Sequence, residues 1–506
     1  MRIQRFPTKT VIHGYKPSDA RKIEGYLSAW DKVLFRYTFQ AFKYDEDNET
    51  MIFPSGIDHD LLYSLLESKG YDIEEEDYRL SKYTNYKKIN ITMKYSPRDL
   101  LQRESIKFLL GSQYDKNNSQ KLLSLNTGEG KTFCGVSYVS LTGRTPIIFI
   151  NNNKLLEQWK QRILEYTDTT EDEIYILQGR NSINKLMSMK VKEARSYKFF
   201  IAMNKTIINV LEEDELFLEN LAKHTEIALK IFDEVHLDYR NVFNLDISLD
   251  TPSIYLSATP GRSDHSENIV FKNIFYKVPK FSSSSVKENK RDIPDKYHTV
   301  VLFKLNTKPT EVDVADFMKA SRRRGIDVNH YSNYLLNEEK MIEYFDVMIE
   351  ILDKMSRGRK TIIMFRLTEQ IDKFYDYLEQ EKGIDFMKDN NVIRFHSKID
   401  KNEKEKIDDS NLIITTVQSL GTGIDISGLK MIINTVPISS NTSLTQLLGR
   451  LRYIKGEKVV MIDVIDYGFK SLSNQANRRM TLYKKKAKEI FVFKHKSMKV
   501  GTNNGS

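Results

Sequence analysis

Short apolar runs alternate with longer polar or amphipathic segments from Lys121 onward, and this rhythm restricts the fold of the chain more than any other feature. Each run is shorter than an ordinary helix and is apolar without strict alternation, which is typical of a strand buried on both faces of a parallel sheet. The runs are KLLSL (121–125), PIIFI (146–150), KFFIA (198–202), LKIFD (229–233), SIYLS (253–257), TIIMF (361–365), NVIRF (391–395), NLIITT (411–416), KMIIN (430–434) and KVVMIDV (458–464). The pattern predicts an α/β protein with two parallel-sheet lobes in tandem.

The N-terminal residues have a different pattern, that of a small α+β module. Four apolar residues at i, i+3, i+4 and i+7 predict a helix with one apolar face; they are Ile23, Tyr26, Leu27 and Trp30. The alternating stretch KVLFRYTFQAFK (32–43) predicts a half-buried strand. A return strand at MIFP (51–54) and a second helix in DHDLLYSLLESKG (58–70) complete the predicted module.

These patterns divide the chain into five predicted segments. KFSSSSVKENKRDIPDK (280–296) is rich in serine and charge, a composition typical of a linker that lets two lobes move. The segments are an accessory domain at 1–90 that is a candidate DNA-binding module, a first lobe at 91–280, a linker at 281–296, a second lobe at 297–475 and a basic tail at 476–506.

Composition narrows the class of protein. The 78 Lys and Arg against 69 Asp and Glu give a sequence pI near 9.0, which suits a polyanionic partner. One cysteine, Cys134, excludes an intrachain disulfide framework and fits a reducing compartment. No stretch reaches about 18 uninterrupted apolar residues and no apolar segment follows the first residues, so we expect a soluble cytoplasmic protein with no membrane contact.

LNTGEGKT (125–132) has the pattern of a phosphate-binding loop. It follows one apolar run and precedes FCGVSYVSL, which predicts the strand, loop and helix that such a loop requires. In that context backbone N–H groups and the helix N-terminus hold phosphate oxygens, Lys131 reaches the β and γ phosphates, and Thr132 places its hydroxyl on Mg²⁺. The sequence therefore predicts a nucleotide site; a structural glycine turn is the alternative.

Two further motifs of the first lobe follow apolar runs. LKIFDEVH ends in adjacent carboxylates, and Asp233 is predicted to bind the Mg²⁺ shell while Glu234 activates the attacking water. LSATP (256–260) places the hydroxyls of Ser257 and Thr259 where they can link hydrolysis to a moving part. Solvated charges at a strand end and an ordinary turn are the alternatives.

The second lobe lacks a glycine-rich GK[ST] loop, so we expect no nucleotide of its own. It contains QLLGRLR (446–452), where Arg450 and Arg452 are candidates to stabilise charge on the γ-phosphate. Surface arginines that contact nucleic acid are the alternative.

In order along the chain, these motifs resemble those of superfamily 2 helicases over residues 95 to 465. The matching segments are PRDLLQRESI, LNTGEGKT, NNNKLLEQW, IFDEVH, LSATP, TTVQSLGTGID and QLLGRLR. LLEQW and DEVH are most similar to the branch with the RecG, Rad25/XPB and type I restriction motors, and the N-terminal module resembles the accessory domain of T4-type phage recombination helicases. The resemblance implies two RecA-like lobes, ATP and Mg²⁺.

The resemblance also implies a role for individual residues. Adenine recognition falls to Gln102 and Arg98, and the phosphate loop comprises Thr127, Gly128, Glu129, Gly130, Lys131 and Thr132. Coupling between lobes falls to His236, Ser257, Thr259 and Gln446. Motif V supplies Thr416, Gly421, Gly423 and Asp425, of which Gly423 and Asp425 are assigned to the nucleotide and Thr416 and Gly421 to nucleic acid. Asn151, Asn152 and Thr206 are expected to contact nucleic-acid phosphates without reading bases.

Two positions depart from the family pattern. Leu125 stands where alanine or glycine is usual, and we expect its side chain to point away from the phosphates. In the last motif the family's second arginine position holds Tyr453, one residue after Arg452. One residue is about 100° of rotation on a helix, so Arg450 is the better assignment for the arginine that reaches the γ-phosphate.

The predicted function is an ATP-driven helicase or translocase on branched or single-stranded DNA or R-loops in replication, recombination or repair. We expect it to work as a monomer in the cytoplasm of a bacterium or of a phage-infected host. Three alternatives stand beside it: an RNA helicase, a duplex translocase that does not unwind, and a DNA-binding scaffold with an inactive ATPase. The joint presence of Lys131, Asp233, Glu234 and Arg450 argues against the scaffold.

Overall fold

The computed structural model describes residues 1–31, 35–80, 85–111, 119–126, 128–258, 265–286, 296–321, 326–396, 406–407, 409–417, 419, 426–454 and 456–495. It consists of two compact units, Met1–Asn289 and Lys290–Ser506. Among the described residues, no helix combines the length and the hydropathy needed to cross a bilayer.

The N-terminal module is a five-stranded sheet with two helices and a separate hairpin. Its elements are β1 (Arg2–Arg5), β2 (Lys9–His13), α1 (Arg21–Tyr26), β3 (Ser28–Asp31), β4 (Arg36–Gln40), β5 (Lys43–Asp45), β6 (Thr50–Pro54), α2 (His59–Glu67) and β7 (Glu74–Asp77). The sheet order is β5-β6-β2-β1-β7, antiparallel except for the pair of β1 and β7, and β3 pairs with β4 as an antiparallel hairpin. The predicted return strand and second helix correspond to β6 and α2.

The predicted N-terminal helix is wrong in its last turn. Ile23 and Leu27 are buried as the helical spacing predicts, but α1 ends at Tyr26 and Trp30 lies in β3. The backbone N–H of Trp30 donates to the hydroxyl of Ser266 at 2.9 Å, and β3 pairs with β4. These tertiary bonds outweigh a local helical periodicity that continues for only one more turn. Lys32, Val33 and Leu34, the start of the predicted strand, lie outside the described residues.

The first lobe contains a seven-stranded parallel sheet in the order β10-β11-β9-β12-β13-β8-β14. Its elements are α3 (Leu100–Leu110), β8 (Gln120–Ser124), α4 (Lys131–Thr142), β9 (Pro146–Ile150), α5 (Asn153–Tyr166), β10 (Ile174–Leu177), α6 (Arg180–Ser188), α7 (Val191–Ala194), β11 (Phe199–Met203), α8 (Asn204–Leu211), α9 (Phe217–Thr225), β12 (Leu229–Phe232), α10 (Tyr239–Ile247), β13 (Ser253–Ser257), α11 (His265–Ile274) and β14 (Lys280–Ser282). The five predicted apolar runs are five of its strands. The edge strands β10 and β14 were not predicted.

The second lobe contains another seven-stranded parallel sheet, in the order β17-β18-β16-β19-β20-β15-β21. Its elements are β15 (His298–Leu305), α12 (Glu311–Ser321), α13 (Val328–Tyr334), α14 (Glu338–Met355), β16 (Thr361–Phe365), α15 (Thr368–Asp389, kinked at Gly383), β17 (Val392–Phe395), β18 (Leu412–Thr416), β19 (Met431–Asn434), α16 (Asn441–Leu448), β20 (Val459–Asp466), α17 (Lys470–Lys486) and β21 (Ala487–Lys494). The prediction of two parallel-sheet lobes behind a small α+β domain is confirmed.

Two predicted segments take a different structure from the one expected. Residues 476–495, predicted as a basic tail, form most of α17 and the edge strand β21, because residues 487–494 pair in parallel with β15 and extend the sheet. Residues 280–282, at the start of the predicted linker, form β14 beside β8. Residues 496–506 lie outside the described part of the chain.

A buried polar network joins the N-terminal module to the first lobe. The ammonium of Lys230 is fully buried and lies 3.1 Å from the carboxylate of Asp246. Thr8 of the module donates its hydroxyl to the backbone carbonyl of Asp246 at 2.8 Å, and Gln120 donates to the Asp246 carboxylate at 3.2 Å. Breaking such a buried network leaves an unpaired charge, so the module is a fixed part of this unit.

Candidate nucleotide-binding site

The phosphate loop connects β8 to the N-terminus of α4, as predicted. Gly128 and Gly130 have φ of 82° and 92°, the left-handed region that glycine enters without steric cost. Gly130 is also the N-cap residue of α4 and, having no side chain, does not cap the first N–H groups of the helix. A twelve-residue helix with its positive end in a glycine turn is suited to hold phosphate oxygens.

Gln102 and Arg98 contact the backbone of this loop. The amide of Gln102 donates to the carbonyl of Glu129 at 3.3 Å, and the guanidinium of Arg98 donates to the carbonyl of Gly128 at 2.8 Å. A Cβ atom at Gly130 would lie 2.2 Å from the Gln102 amide nitrogen and would displace that side chain, and the φ of 92° is strained for any residue other than glycine. The two residues assigned to adenine thus also hold the loop in shape.

Glu129 organises the entrance of the loop. Its carboxylate accepts the backbone N–H of Asn126 at 2.7 Å and the Asn126 side-chain amide at 3.1 Å. The hydroxyl of Ser283, just after β14, also donates to this carboxylate. The last edge strand of the lobe is thereby tied to the phosphate loop.

The two carboxylates lie at the carboxyl end of β12, beside the loop. Glu234 Oε1 is 3.3 Å from the ammonium of Lys131. Asp233 accepts the indole N–H of Trp159 at 2.8 Å and the backbone N–H of Glu234 at 2.9 Å. Glu234 has φ of 49°, a conformation that costs a residue with a side chain free energy and that occurs often at functional sites. The structure therefore brings motif residues a hundred positions apart into one cluster.

The two carboxyl groups have their pKa values moved in opposite directions. Burial, together with the negative charge of Glu234, raises the pKa of Asp233 to about 6. Burial also opposes ionisation of Glu234, but the ammonium of Lys131 and then His236 outweigh it and lower the pKa of Glu234. Divergent values in adjacent acids are typical of a site that divides metal binding and proton transfer between them.

A chain of polar contacts continues from Glu234 to the next motif. Glu234 Oε2 is 3.4 Å from Nδ1 of His236 and accepts the backbone N–H of Ala258 at 3.5 Å. The same Nδ1 is 2.9 Å from the hydroxyl of Ser257. Lys131, Glu234, His236 and Ser257 therefore form one connected series, which we call the hydrolysis cluster together with Asp233.

Leu125 points away from the phosphate loop, as expected. Its side chain is fully buried in the hydrophobic core that contains Leu123 and Ile231. Its backbone N–H donates to the carbonyl of Ser257 at 3.2 Å, and its own carbonyl accepts from the Lys131 ammonium at 3.3 Å. A larger residue is therefore tolerated here because only its backbone takes part in the site.

The residues predicted to contact nucleic acid in the first lobe lie at helix N-termini. Asn152 caps α5 by accepting the N–H of Leu155 at 2.9 Å and donates its amide to Asn151 at 2.7 Å. The hydroxyl of Thr206 in α8 accepts the N–H of Gly179 at 3.1 Å. These side chains therefore already make hydrogen bonds within the protein, and their contact with nucleic-acid phosphates stays a prediction.

The predicted site residues of the second lobe that the structure describes are in or near β18 and α16. Thr416 ends β18 and accepts the backbone N–H of Ser419 at 3.0 Å. Gln446 lies in α16, Arg450 follows that helix and is half-buried, and Arg452 is exposed. The predicted site residues Thr127, Thr259, Gly421, Gly423 and Asp425 lie outside the described residues.

Trp159 is a site residue that the motif analysis missed. It is fully buried in α5 and orients Asp233 through its indole N–H. The signal is present in the LLEQW segment, where the tryptophan continues the helical apolar face of Leu155 and Leu156. Its bond partner is 74 residues away, which the sequence does not indicate.

The chemistry of these groups fits a nucleoside triphosphate with Mg²⁺. The glycine turn, the helix N-terminus and Lys131 supply positive potential for phosphates, and Thr132 is the second residue of α4. Asp233 supplies a carboxylate, the ligand that Mg²⁺ prefers, on the same side as the loop.

Each lobe matches a protein-family model over part of its length. Residues 94–262 match the family model for the type III restriction enzyme, res subunit, and residues 343–453 match the helicase conserved C-terminal domain. Transcript termination protein A18 of Yaba-like disease virus is 24% identical over 405 residues, 74% of this chain and 75% of that protein. The DNA 3'-5' helicase XPB of Mycobacterium tuberculosis is 28% identical over 151 residues, 30% of this chain and 25% of that protein.

Solved structures also align with the chain. The crystal structure of T4 UvsW aligns with 99% of this chain and 100% of that chain, at 13% identity and a TM-score of 0.35. S. cerevisiae Dbp5 bound to RNA and ADP BeF3 aligns with 78% of this chain and 89% of that chain, at 15% identity and a TM-score of 0.48.

Proposed function

We propose that this chain, which belongs to superfamily 2 of the helicases and hydrolyses ATP, is a DNA helicase or translocase that acts on branched DNA or R-loops in replication, recombination or repair. The observation that carries the proposal is the hydrolysis cluster, in which Lys131, Glu234, His236 and Ser257 are in continuous contact. Such a series joins the phosphate loop to the two motifs that follow it, so a change at the phosphate can be passed on.

Binding of ATP changes the charge balance of the cluster. The Lys131 ammonium lies 3.3 Å from the Glu234 carboxylate and offsets its charge. The triphosphate competes for the Lys131 ammonium and so weakens the main charge that lowers the pKa of Glu234. Glu234 thereby becomes a stronger base when the substrate is in place.

Hydrolysis then requires one proton transfer at Glu234. The carboxylate accepts a proton from the attacking water as its oxygen bonds to the γ-phosphorus, and the bond to the β-γ bridging oxygen breaks. Mg²⁺, when bound by Asp233 and Thr132, supplies neutralisation of the phosphate charge. Protonation of Glu234 changes its interaction with His236, which lies 3.4 Å away, and His236 in turn contacts Ser257.

The use of this energy is proposed to be movement along DNA. Asn151, Asn152, Thr206 and Thr416 are proposed to contact the backbone of the strand, a mode that is independent of sequence and sensitive to salt. The net charge of +9 suits the same partner. We propose that the chain works as a monomer.

A panel of nucleic acids tests the substrate. The rate of ATP hydrolysis is measured at fixed salt with single-stranded DNA, duplex, fork, four-way junction, R-loop and single-stranded RNA. The proposal predicts the largest stimulation with the fork, the junction or the R-loop. Equal stimulation by all DNA forms contradicts the preference for branches, and a preference for RNA supports an RNA helicase.

A duplex translocase without unwinding is the second candidate. The match of residues 94–262 to a restriction-enzyme subunit model favours it. A strand-displacement assay beside a triplex-displacement assay separates the two functions. Displacement of the triplex strand without separation of the duplex supports the second candidate and contradicts the first.

A further inference from the structure

The N-terminal module exposes four aromatic side chains that are close to one another along the chain. Tyr26, Trp30, Phe35 and Tyr37 are 40%, 41%, 78% and 54% exposed. They lie at the end of α1 and on the β3-β4 hairpin, within twelve positions of one another along the chain. We call this surface the aromatic hairpin. Exposed aromatic groups gathered in one place, unlike single ones, are typical of a binding surface.

The hairpin has two different faces. Trp30 is paired with Tyr37 across the strands, with ring centroids 4.9 Å apart and an interplanar angle of 76°. Ala29 and Phe39 are the next cross-strand pair, and a register shift between Ala29 and Trp30 leaves Thr38 as an extra residue between the two pairs, which breaks the regular alternation of faces. Phe39 packs edge-on against Tyr239 of α10 at 5.4 Å. One face of the hairpin therefore packs against the first lobe through Phe39, and the Trp30 and Tyr37 rings are exposed to solvent.

Cations accompany the exposed rings. Arg36 is exposed between Phe35 and Tyr37 in sequence and lies opposite Asp31 in the hairpin register, and Lys22 is exposed one helical turn before Tyr26 on α1. Planar apolar rings beside positive charge are complementary to an unpaired nucleotide, whose base stacks and whose phosphate is anionic. An apolar protein segment would match the rings but gain nothing from the cations.

The hairpin is attached to the elements that follow the hydrolysis cluster. The Trp30 N–H donates to Ser266 of α11 at 2.9 Å, and Phe39 packs on α10. α10 begins at Tyr239, shortly after His236, and α11 comes next after Ser257 and β13. Arg240 of α10 further pairs with Glu267 of α11 at 2.6 Å. A base held on the hairpin is thus rigidly connected to the ATPase lobe.

We propose that the aromatic hairpin is a stacking surface for unpaired bases, with Trp30 and Tyr37 as its main contacts and Arg36 as a phosphate contact. This inference rests on the proposed function on nucleic acid and adds where an unpaired strand, such as one at a branch, is held.

Tryptophan fluorescence tests the surface directly. The chain has two tryptophans, and Trp159 is 1% exposed, so a change in quenching on titration with an oligo(dT) single strand is reported by Trp30. We expect quenching in the full chain without nucleotide. Unchanged fluorescence at saturating oligo(dT), with binding shown by anisotropy of the labelled strand, overturns the proposal.

Substitutions separate stacking from charge. Trp30→Ala and Tyr37→Ala are each expected to weaken binding of labelled oligo(dT) roughly 5- to 100-fold, the range for loss of one base stack, while Trp30→Phe retains most of the affinity. The slope of log affinity against log salt stays the same in Trp30→Ala and falls by about 0.7 in Arg36→Ala. A loss of affinity in Trp30→Ala that comes with a changed slope of log affinity against log salt contradicts stacking.

Matched controls make the result specific. Tyr276 is 53% exposed beside the ammonium of Lys277, so Tyr276→Ala removes a comparable aromatic group outside the hairpin and is expected to bind normally. Equal losses in Tyr276→Ala and Trp30→Ala, or an equal loss on blunt duplex, overturn the proposal. If oligo(dT) stimulates the wild-type ATPase but Trp30→Ala and Tyr37→Ala bind oligo(dT) as tightly as wild type, the stacking surface is rejected and the proposed function stands. Absence of any nucleic-acid-stimulated ATPase in the wild type rejects the proposed function and leaves the direct binding result to decide the hairpin.

Discussion

Replacement of Glu234 by glutamine removes one charge from the hydrolysis cluster and leaves its shape. Glutamine keeps an oxygen that can accept the N–H of Ala258, but it cannot take a proton from water at neutral pH. It also ends the ion pair with Lys131. We therefore expect turnover to fall while ATP binding persists or strengthens, because the Lys131 ammonium no longer has a competing carboxylate.

The expected loss follows from the role of a general base. Such a group contributes about 10² to 10⁴ in rate, which is about 2.7 to 5.4 kcal/mol of transition-state free energy at 1.36 kcal/mol per factor of ten. Steady-state phosphate release with saturating forked DNA measures the change in kcat. Calorimetric titration with ATP, and anisotropy of a labelled fork, measure the two binding steps.

Glu213→Gln is the matched control. It removes a carboxylate that pairs with Arg180 on an exposed surface of the same lobe, and we expect wild-type hydrolysis from it. DNA-stimulated turnover within a factor of about three of wild type in Glu234→Gln, well below the 10² expected of a general base, would refute the assignment of Glu234. A parallel loss in Glu213→Gln would show that the rate depends on general charge.

Three further changes test other parts of the structure. Arg450→Ala should impair hydrolysis more than Arg452→Ala in the same phosphate assay; the reverse order shows that the last motif is shifted by one residue. Leu125→Ala should lower the free energy of unfolding in urea by about 2 to 5 kcal/mol, since the side chain is fully buried, and a sharply raised ATP affinity would contradict its position. Burial, and then the charges of Arg5 and Arg79, lower the pKa of His59 to about 3. As the pH falls below about 6.5, the unfolded chain binds a proton at this histidine before the folded chain does, so the free energy of unfolding falls by up to about 1.4 kcal/mol per pH unit toward pH 3. In urea unfolding at several pH values, His59→Gln should lose less stability on acidification than the wild type. Parallel pH profiles of the two proteins would exclude this role of His59.

Most strands of the two sheets were predictable because a strand buried on both faces is a short continuous apolar run. The buried strand β15 (His298–Leu305) was not among the predicted runs. PIIFI and TIIMF are continuous apolar runs whose residues are all buried in the structure. The edge strand β21 escaped prediction because its short apolar run, residues 490–493, is flanked by Lys488, Glu489 and Lys494 within a basic segment. An edge strand has one open side and tolerates such charges, so its sequence is similar to that of a polar tail.

The N-terminal module shows where local periodicity stops being informative. Ile23 and Leu27 are buried as helical spacing predicts, yet Trp30 at the next position of that spacing is on a strand. Its place depends on a bond to Ser266, 236 residues away. The motif residues Lys131 and Glu234 could be assigned to one site from resemblance, but the contacts of Glu234 with His236, and the bond from Trp159, required the structure.

The most direct test of the proposed motor is ATP hydrolysis by the wild-type chain and by Lys131→Ala, each with and without a DNA fork. Lys131 contacts both the carbonyl of Leu125 and the carboxylate of Glu234, and it is predicted to hold the phosphates. The account predicts that the fork stimulates the wild type strongly and that Lys131→Ala has no measurable turnover under either condition. Fork-independent hydrolysis by the wild type, or fork-stimulated hydrolysis by Lys131→Ala, would contradict it.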